Sequence, residues 1–522
     1  MIRHASTIPD TQNVVYSRRC GGGEDPRPSA PPGHVSALGY TSTWSRKRSA
    51  TMKPTPEQQA IIEAAKTHSH LVIQAGAGTG KTSTLRMVAS EINSPMLYIA
   101  YNQAIKKEAE KSFPKHVNCK TSHGLAFAVV GKRYAHRLKG GRQTSRDAAQ
   151  ILGTSWLKLS VTLRITPAQM ARIATDTVQR FCYSADDEIG HHHVPHQNGV
   201  FDDNHQALAR SVLPYARKAW SDLRNPDGRL RFNHDHYLKM WALTRPRLDT
   251  DVVLLDEAQD SNPLVAALVQ RQDAQQIAVG DSNQSLYGWR GAVDALGQWD
   301  ADHRLFLSQS WRFGPAIADE ANKWLAWIGA ELRLTGNPAL RSRLTDLEAP
   351  RAMLCRTNAG AMSEVMDLLG QGLKVALVGK GDTIRRLAFA AAELKESGRT
   401  SHPELFVFTS WADLQTYVEE ESEGRDLKPF VDLIDEHGTD AVIDAIDALV
   451  DEKIADVTVS TAHASKGREW EAVKVGDDYP TDDSREDTVK GDAMVAYVAV
   501  TRARMLLDRG GLAWIDKHQR RR

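Results

Sequence analysis

The segment "QAGAGTGKT" at residues 74–82 constrains this chain more than any other feature, because the apolar run Leu71 to Gln74 leads into it and "STLRMVASEI" leads out. A glycine-rich turn that ends a strand and opens a helix belongs to a sheet whose strand ends face a helix N-terminus. Gly76, Gly78 and Gly80 let backbone N–H groups turn inward there, where the amides and the helix terminus meet phosphate oxygens. Lys81 is placed to bridge the β- and γ-phosphates of a nucleoside triphosphate, and Thr82 to hold Mg²⁺. Ala75, Ala77, Thr79 and Ser83 complete the cradle, with Ala75 standing where the strict pattern has glycine. The plainer alternative is a turn without a nucleotide. Strand, loop, Lys81, Thr82 and helix together argue against it.

A second string, "VVLLDEAQD", ends an apolar run in Asp256 and Glu257. Asp256 is placed to complete the magnesium shell and Glu257 to polarise an attacking water. An acidic pair after a strand is common, but hydrolysis of a phosphoanhydride needs cation, base and cradle at once. ATP and Mg²⁺ are therefore the expected cofactors.

The runs "LVIQA", "MLYIAY", "VVLLDE", "QIAVGD" and "RLFLSQS" read as strands buried in a parallel sheet, and "RAMLCRT", "KVALVG" and "VTVST" repeat the pattern further on. Two such units imply two doubly wound α/β cores with a ligand between them. The expected organisation is a disordered leader over 1–51 and a first core over 52–130 and 229–305, interrupted by a helical insertion over 131–228. A second core follows over 306–388 and 456–522, interrupted by a small helical insertion over 389–455.

The leader is rich in Pro, Gly, Ser and Arg without an apolar period, hence its expected disorder. A transit peptide is a second reading of it; the plainer one takes Met52 as the true start. Lys+Arg 66 against Asp+Glu 65 leaves a formal charge of +1, so any nucleic-acid site must be a local groove. Cys20, Cys119, Cys182 and Cys355 form no C-x-x-C pair, which argues against a zinc ribbon, an iron–sulfur cluster or a disulfide framework. No apolar run approaches the roughly 18 residues of a membrane span. An intracellular protein is expected, of cytoplasm and nucleoid or of nucleus.

At "DEAQD", "GDSNQSLYGWRGA", "SWRF", "TAHASKGREW" and "YVAVTRA", in that order after "AGAGTGKT", the chain resembles the UvrD/Rep/PcrA group of superfamily 1 DNA helicases, essentially from Lys53 to Leu512. Within it, "YNQAIKKEAEKSF", "CKTSHGLA", "HDHYLKMWAL" and "QSWRFG" resemble the F-box DNA helicase branch. No F-box is read ahead of the motor, and the ubiquitin-ligase role of that branch is not carried over. The resemblance implies an α/β fold of two RecA-like P-loop NTPase cores, parallel sheets flanked by helices, with helical insertions. It implies an ATP-driven helicase or translocase on single-stranded DNA and single-strand/duplex junctions, moving 3′ to 5′ in DNA repair, recombination or replication. A monomer or weak self-association is expected.

The resemblance assigns Gln58 to the adenine edge, Trp311 to stacking on adenine and Glu469, beside Lys466 and Gly467, to the ribose hydroxyl. Arg468 stands where the family often has Leu. Gln284 would sense the γ-phosphate, Arg312 would reach it, and Arg502 would act as the arginine finger of the second core, a role worth roughly 10³ to 10⁵ in rate in related phosphoryl transfer. Tyr287 and Trp289 would stack on bases, at about 1 to 3 kcal/mol per base without sequence preference. Tyr101, Asn102, Thr121, His123, Arg290 and His463 would complete the DNA groove. Taken without the family, Trp311 reads as core and Arg502 as a solvated or ion-paired residue.

His191, His192, His193 and His196 invite a metal reading, but adjacent residues diverge and no Cys or acidic ligand completes a set. His234 and His236 read as a helix start, and the terminal arginines 520–522 as solvated. No nuclease signature follows "VTRA". Alternatives to a helicase are a translocase that strips proteins from single strands, an ATP-regulated single-strand binding protein, and an RNA-directed motor of the other superfamily 1 branch.

Overall fold

Near-continuous apolar strands satisfy their backbone only within a sheet covered on both faces, and each run read as a strand takes that place in the computed structural model. Residues 53–522 are described, except 142, 162, 287–295, 380, 421–426, 481–485 and 520–522. The leader expected to be disordered thus lies outside them. In chain order the strands are β1 (Leu71–Ala75), β2 (Met96–Ala100), β3 (Val117–Thr121), β4 (Leu157–Lys158), β5 (Arg164–Ile165), β6 (Val252–Leu255), β7 (Gln275–Gly280), β8 (His303–Leu307), β9 (Arg343–Leu344), β10 (Ala352–Cys355), β11 (Val375–Val378), β12 (Val457–Thr461), β13 (Trp470–Val475) and β14 (Ala503–Asp508).

The first sheet has the order β3-β2-β6-β7-β1-β8 and the second β11-β12-β10-β13-β14-β9, every pairing in both being parallel. All strand C-termini of the first sheet therefore open on one edge. Ligands of open α/β sheets bind at that edge.

One face of the first sheet packs Ile73, Tyr98 and Leu254 against the helices Pro56–Ala65 and Lys81–Glu91. The other packs Val72, Ile99 and Val253 into a core shared with the long helices of the first insertion, Pro167–Tyr183 and Asp202–Arg224. The second insertion contributes the helices Trp411–Glu420, Lys428–His437 and Thr439–Asp447. The insertions touch: Arg172 of the first lies over the Phe406 ring of the second, 5.6 Å from its centroid.

Two divisions read from the sequence fall inside elements. β8 stays paired to β1 as far as Ala75 and Leu307, so the first sheet runs past 305. Gly381–Ser397 is one helix across 388, because Ile384, Ala388, Ala391 and Leu394 form an unbroken buried stripe.

Candidate nucleotide site at the junction of the two cores

The loop after β1 turns through Gly78 at φ +73° and Gly80 at φ +83°, left-handed conformations that glycine adopts at least cost. Space demands glycine as well: a Cβ on Gly78 would lie 2.6 Å from Arg312 Cβ and 2.7 Å from Ser310 Oγ. The Thr79 hydroxyl closes the turn by donating to the Gly76 carbonyl. Lys81 and Thr82 then open the helix Lys81–Glu91.

Beyond β6 the chain folds its acidic pair back onto that helix. Thr82 Oγ1 donates to Asp256 Oδ2 at 2.6 Å, and Tyr98 Oη donates to the same oxygen at 2.7 Å. Lys81 Nζ lies 3.1 Å from Glu257 Oε2, which also accepts from Gln259 Nε2 at 2.8 Å. Glu257 sits at φ +50°, where a non-glycine residue costs of order 1–3 kcal/mol and where strain marks functional sites. Burial alone would lower the Lys81 ammonium, but the carboxylates of Glu257, Asp281 and Asp256 hold its pKa above the ordinary lysine value. Burial would likewise raise Glu257, and Lys81 draws it below the usual range. Asp256 is raised, by burial and then by Glu257. Two oxygen donors, Thr82 and Asp256, side by side at a helix start are the hard ligands that Mg²⁺ takes alongside phosphate and water, so the residues fit that ion.

The second core closes over this cradle. Arg502 Nη2 donates to Gln284 Oε1 at 3.0 Å, and Lys466 Nζ donates to Asp260 Oδ1 at 2.5 Å and to the Gln284 carbonyl at 2.7 Å. Arg502 is buried, and desolvation with Arg312 nearby pulls its pKa down to about 9, still charged at neutral pH. Arg312 bonds Glu469 Oε2 at 2.7 Å and the Thr501 carbonyl at 3.0 Å. The residues expected at the γ-phosphate and at the ribose are thus paired with each other. Trp311 is not core: it is 43% exposed, its backbone N–H donates to the Gly78 carbonyl, and its ring edge lies beside Gly80. Gln58 caps its own helix with Thr55, and its Nε2 donates to Thr84 Oγ1 at 3.1 Å, next to Gly80.

The groove residues are less uniform. Tyr101 is exposed at the end of β2, and the Asn102 side chain caps the helix Gln103–Ser112. Thr121 departs from expectation: it is buried, and its hydroxyl oxygen caps the helix Ser122–Val129 by accepting from Gly124 N–H. His123 Nε2 lies 2.9 Å from Asp235 Oδ1. His463 is held neutral, its pKa pulled down to about 4 by burial and then by Arg356 and Lys466. Tyr287, Trp289 and Arg290 lie outside the described residues.

Sequence reading passed over Tyr98, which looks like any strand residue, and Tyr497, which sits inside "YVAVTRA" without an assigned role. It also missed Asp186, an acidic neighbour for the histidine cluster: Asp186 Oδ2 lies 2.6 Å from His192 Nε2 and 3.1 Å from His193 Nε2. Gly190 N–H donates to His193 Nδ1, so the proton sits on Nε2 and the lone pair a metal needs faces the backbone instead.

Two parallel α/β sheets with a phosphate loop at the edge of one, and arginines of the other closing over it, define a two-core P-loop NTPase of RecA-like architecture. The model of an AAA domain matches residues 58–290. F-box DNA helicase protein 1 of Schizosaccharomyces pombe is 30% identical over 87% of this chain and 57% of its own length. F-box DNA helicase 1 of Gallus gallus is 28% identical over 89% of this chain and 49% of its own. DNA helicase II of Salmonella typhimurium is 24% identical over 49% of this chain and 38% of its own. In the order of its motifs and in these relatives the chain is similar to the UvrD-like superfamily 1 helicases, and it spans about half the length of the first two relatives.

Proposed function

We propose that this chain is an ATP-driven motor on single-stranded DNA, moving 3′ to 5′ and coupling hydrolysis to duplex unwinding or protein displacement. The observation that carries the reading is that Arg502 of the second core reaches Gln284 of the first beside the Lys81–Glu257 pair. Opening and closing the cleft therefore makes and breaks the hydrolytic site.

In this reading Lys81 leaves Glu257 for the β- and γ-phosphates, and the freed Glu257 carboxylate orients the attacking water. Thr82 and Asp256 would hold Mg²⁺, which would supply positive charge against the negative charge developing on the phosphate oxygens. Arg312 exchanges Glu469 for the γ-phosphate and Arg502 stabilises the transition-state charge, while Trp311 stacks on adenine and Gln58 reads its edge. Glu469, once released, is free for the ribose. Tyr101, Asn102, His123 and His463 line the DNA path, and Tyr287, Trp289 and Arg290 are assigned to DNA binding by their motif alone. Contacts there carry no base code, so binding is nonspecific and weakens with salt.

The test is steady-state ATP hydrolysis with Mg²⁺, alone and with single-stranded DNA or RNA, using Lys81→Ala as control. The expected result is strong stimulation by DNA and a loss of about 10²-fold or more in the variant, the scale of removing one preorganised charge-stabilising group. Turnover absent with every strand would leave the ATP-regulated binding protein as the better account, and stimulation by RNA alone the RNA-directed motor. Unwinding of tailed duplexes then reads polarity.

A further inference from the structure

We infer that Tyr497, a residue of the second core, is a positioning residue that holds the phosphate loop in register with the γ-phosphate-sensing segment at Gln284; this rests on the motor reading above. Its hydroxyl stands at the centre of a closed set of buried hydrogen bonds. Ala77 N–H donates to Tyr497 Oη at 3.1 Å, and Tyr497 Oη donates to Asp281 Oδ2 at 2.9 Å. Gln284 Nε2 donates to that same Asp281 oxygen at 2.7 Å, and Gln284 Oε1 accepts from Arg502 at 3.0 Å. Tyr497 and Arg502 thus grip Asp281 and Gln284 from the same stretch of the second core, which runs from the helix Glu486–Val500 into β14.

Both backbone polar groups of Ala77 are held, since its carbonyl accepts from Ser310 Oγ at 2.9 Å. This N–H is therefore not one of the amides offered to phosphate. The phenol acts as a spacer of fixed length between loop and carboxylate. Burial raises Asp281, and what favours its charge is the Lys81 ammonium together with the donors it keeps: Gln284 and Tyr497 on Oδ2, and the Asn283 N–H with the Asn283 and Gln74 amides on Oδ1. Tyr497, Ala77 and Asp281 are each almost completely excluded from water. A hydroxyl lost here is replaced by no solvent, and the unpaired Ala77 N–H and the loosened Asp281 carry the cost.

A tyrosine that merely fills the core and one that aligns the site differ in what removing a single oxygen does. Tyr497→Phe keeps the ring and its packing, so the fold survives. With the full chain, ATP, Mg²⁺ and single-stranded DNA, the expected outcome is a fall of at least about tenfold in DNA-stimulated kcat, since Phe removes both of the hydroxyl's buried hydrogen bonds, with the KM for ATP changed less than about threefold. Asp281→Asn should give a similar loss, and the double variant little more than either alone, because both break one chain. Retention of full stimulation by Tyr497→Phe, or additive losses in the double variant, would overturn the inference. Wild-type protein that hydrolyses no ATP with any strand would instead defeat the motor reading, whatever the variants do.

Discussion

His193 and His236 are buried imidazoles whose pKa values burial pulls down to about 4. The unfolded chain takes up these protons near pH 6.5 and the folded one only near pH 4, so acidification through that window favours unfolding. The stability is complete above about pH 6.5 and is lost progressively below it, at no more than about 3 kcal/mol per histidine. Chemical denaturation at pH 7.5 and pH 5 should show a large drop for the wild type and a smaller one for His193→Gln; equal drops would mean that His193 titrates normally. The same burial explains why single residues were legible to different degrees. Lys81, Thr82, Asp256 and Glu257 announce themselves because their chemistry requires fixed types at fixed spacing. Tyr98 and Tyr497 do not, since a phenol in an apolar run reads as packing until its hydroxyl is seen to face a carboxylate.

Among the elements, the phosphate loop is where one methyl group should matter most. In Gly78→Ala the new Cβ meets Arg312 and Ser310 well inside van der Waals contact and the backbone is held at φ +73°. We expect a loss of about 1–3 kcal/mol of stability from the strained conformation and a larger, separate loss of nucleotide binding, read by titration with a fluorescent ATP analogue. Binding unchanged at lowered stability would show that the loop tolerates displacement. The inner strands β13 and β14, which mix charged and apolar residues, were passed over, whereas the central strands β1, β2, β6, β7, β10 and β12 were readable because both faces are covered and their residues are mostly apolar. β3 was not: at the sheet edge its buried positions Val117, Cys119 and Thr121 alternate with more exposed Asn118 and Lys120, a period that a short polar segment hides. β9, two exposed residues long, has no pattern at all and is a strand only because β14 lies beside it.

At the scale of the whole molecule, Lys466 to Asp260, Arg502 to Gln284 and Tyr497 to Ala77 cross between the cores, so a ligand at the phosphate loop should stabilise both together. A non-hydrolysable ATP analogue with Mg²⁺ at 100 times its Kd should add about 2.7 kcal/mol and shift a single thermal transition upward. Two transitions, only one of them moving, would mean that the cores do not share the ligand. The same analogue should leave Lys81→Ala unshifted. By itself the sequence determined the two α/β cores, the phosphate loop and the acidic pair, because strand burial and phosphate chemistry both impose short-range patterns. Only the tertiary structure decided which second-core groups close the site: Tyr497 and Ala77 are 420 residues apart in the chain, and no local rule of spacing relates them. It alone also decided that Thr121 turns inward and that the His193 lone pair is spent on Gly190, because a side chain's partners are set by which elements pack around it.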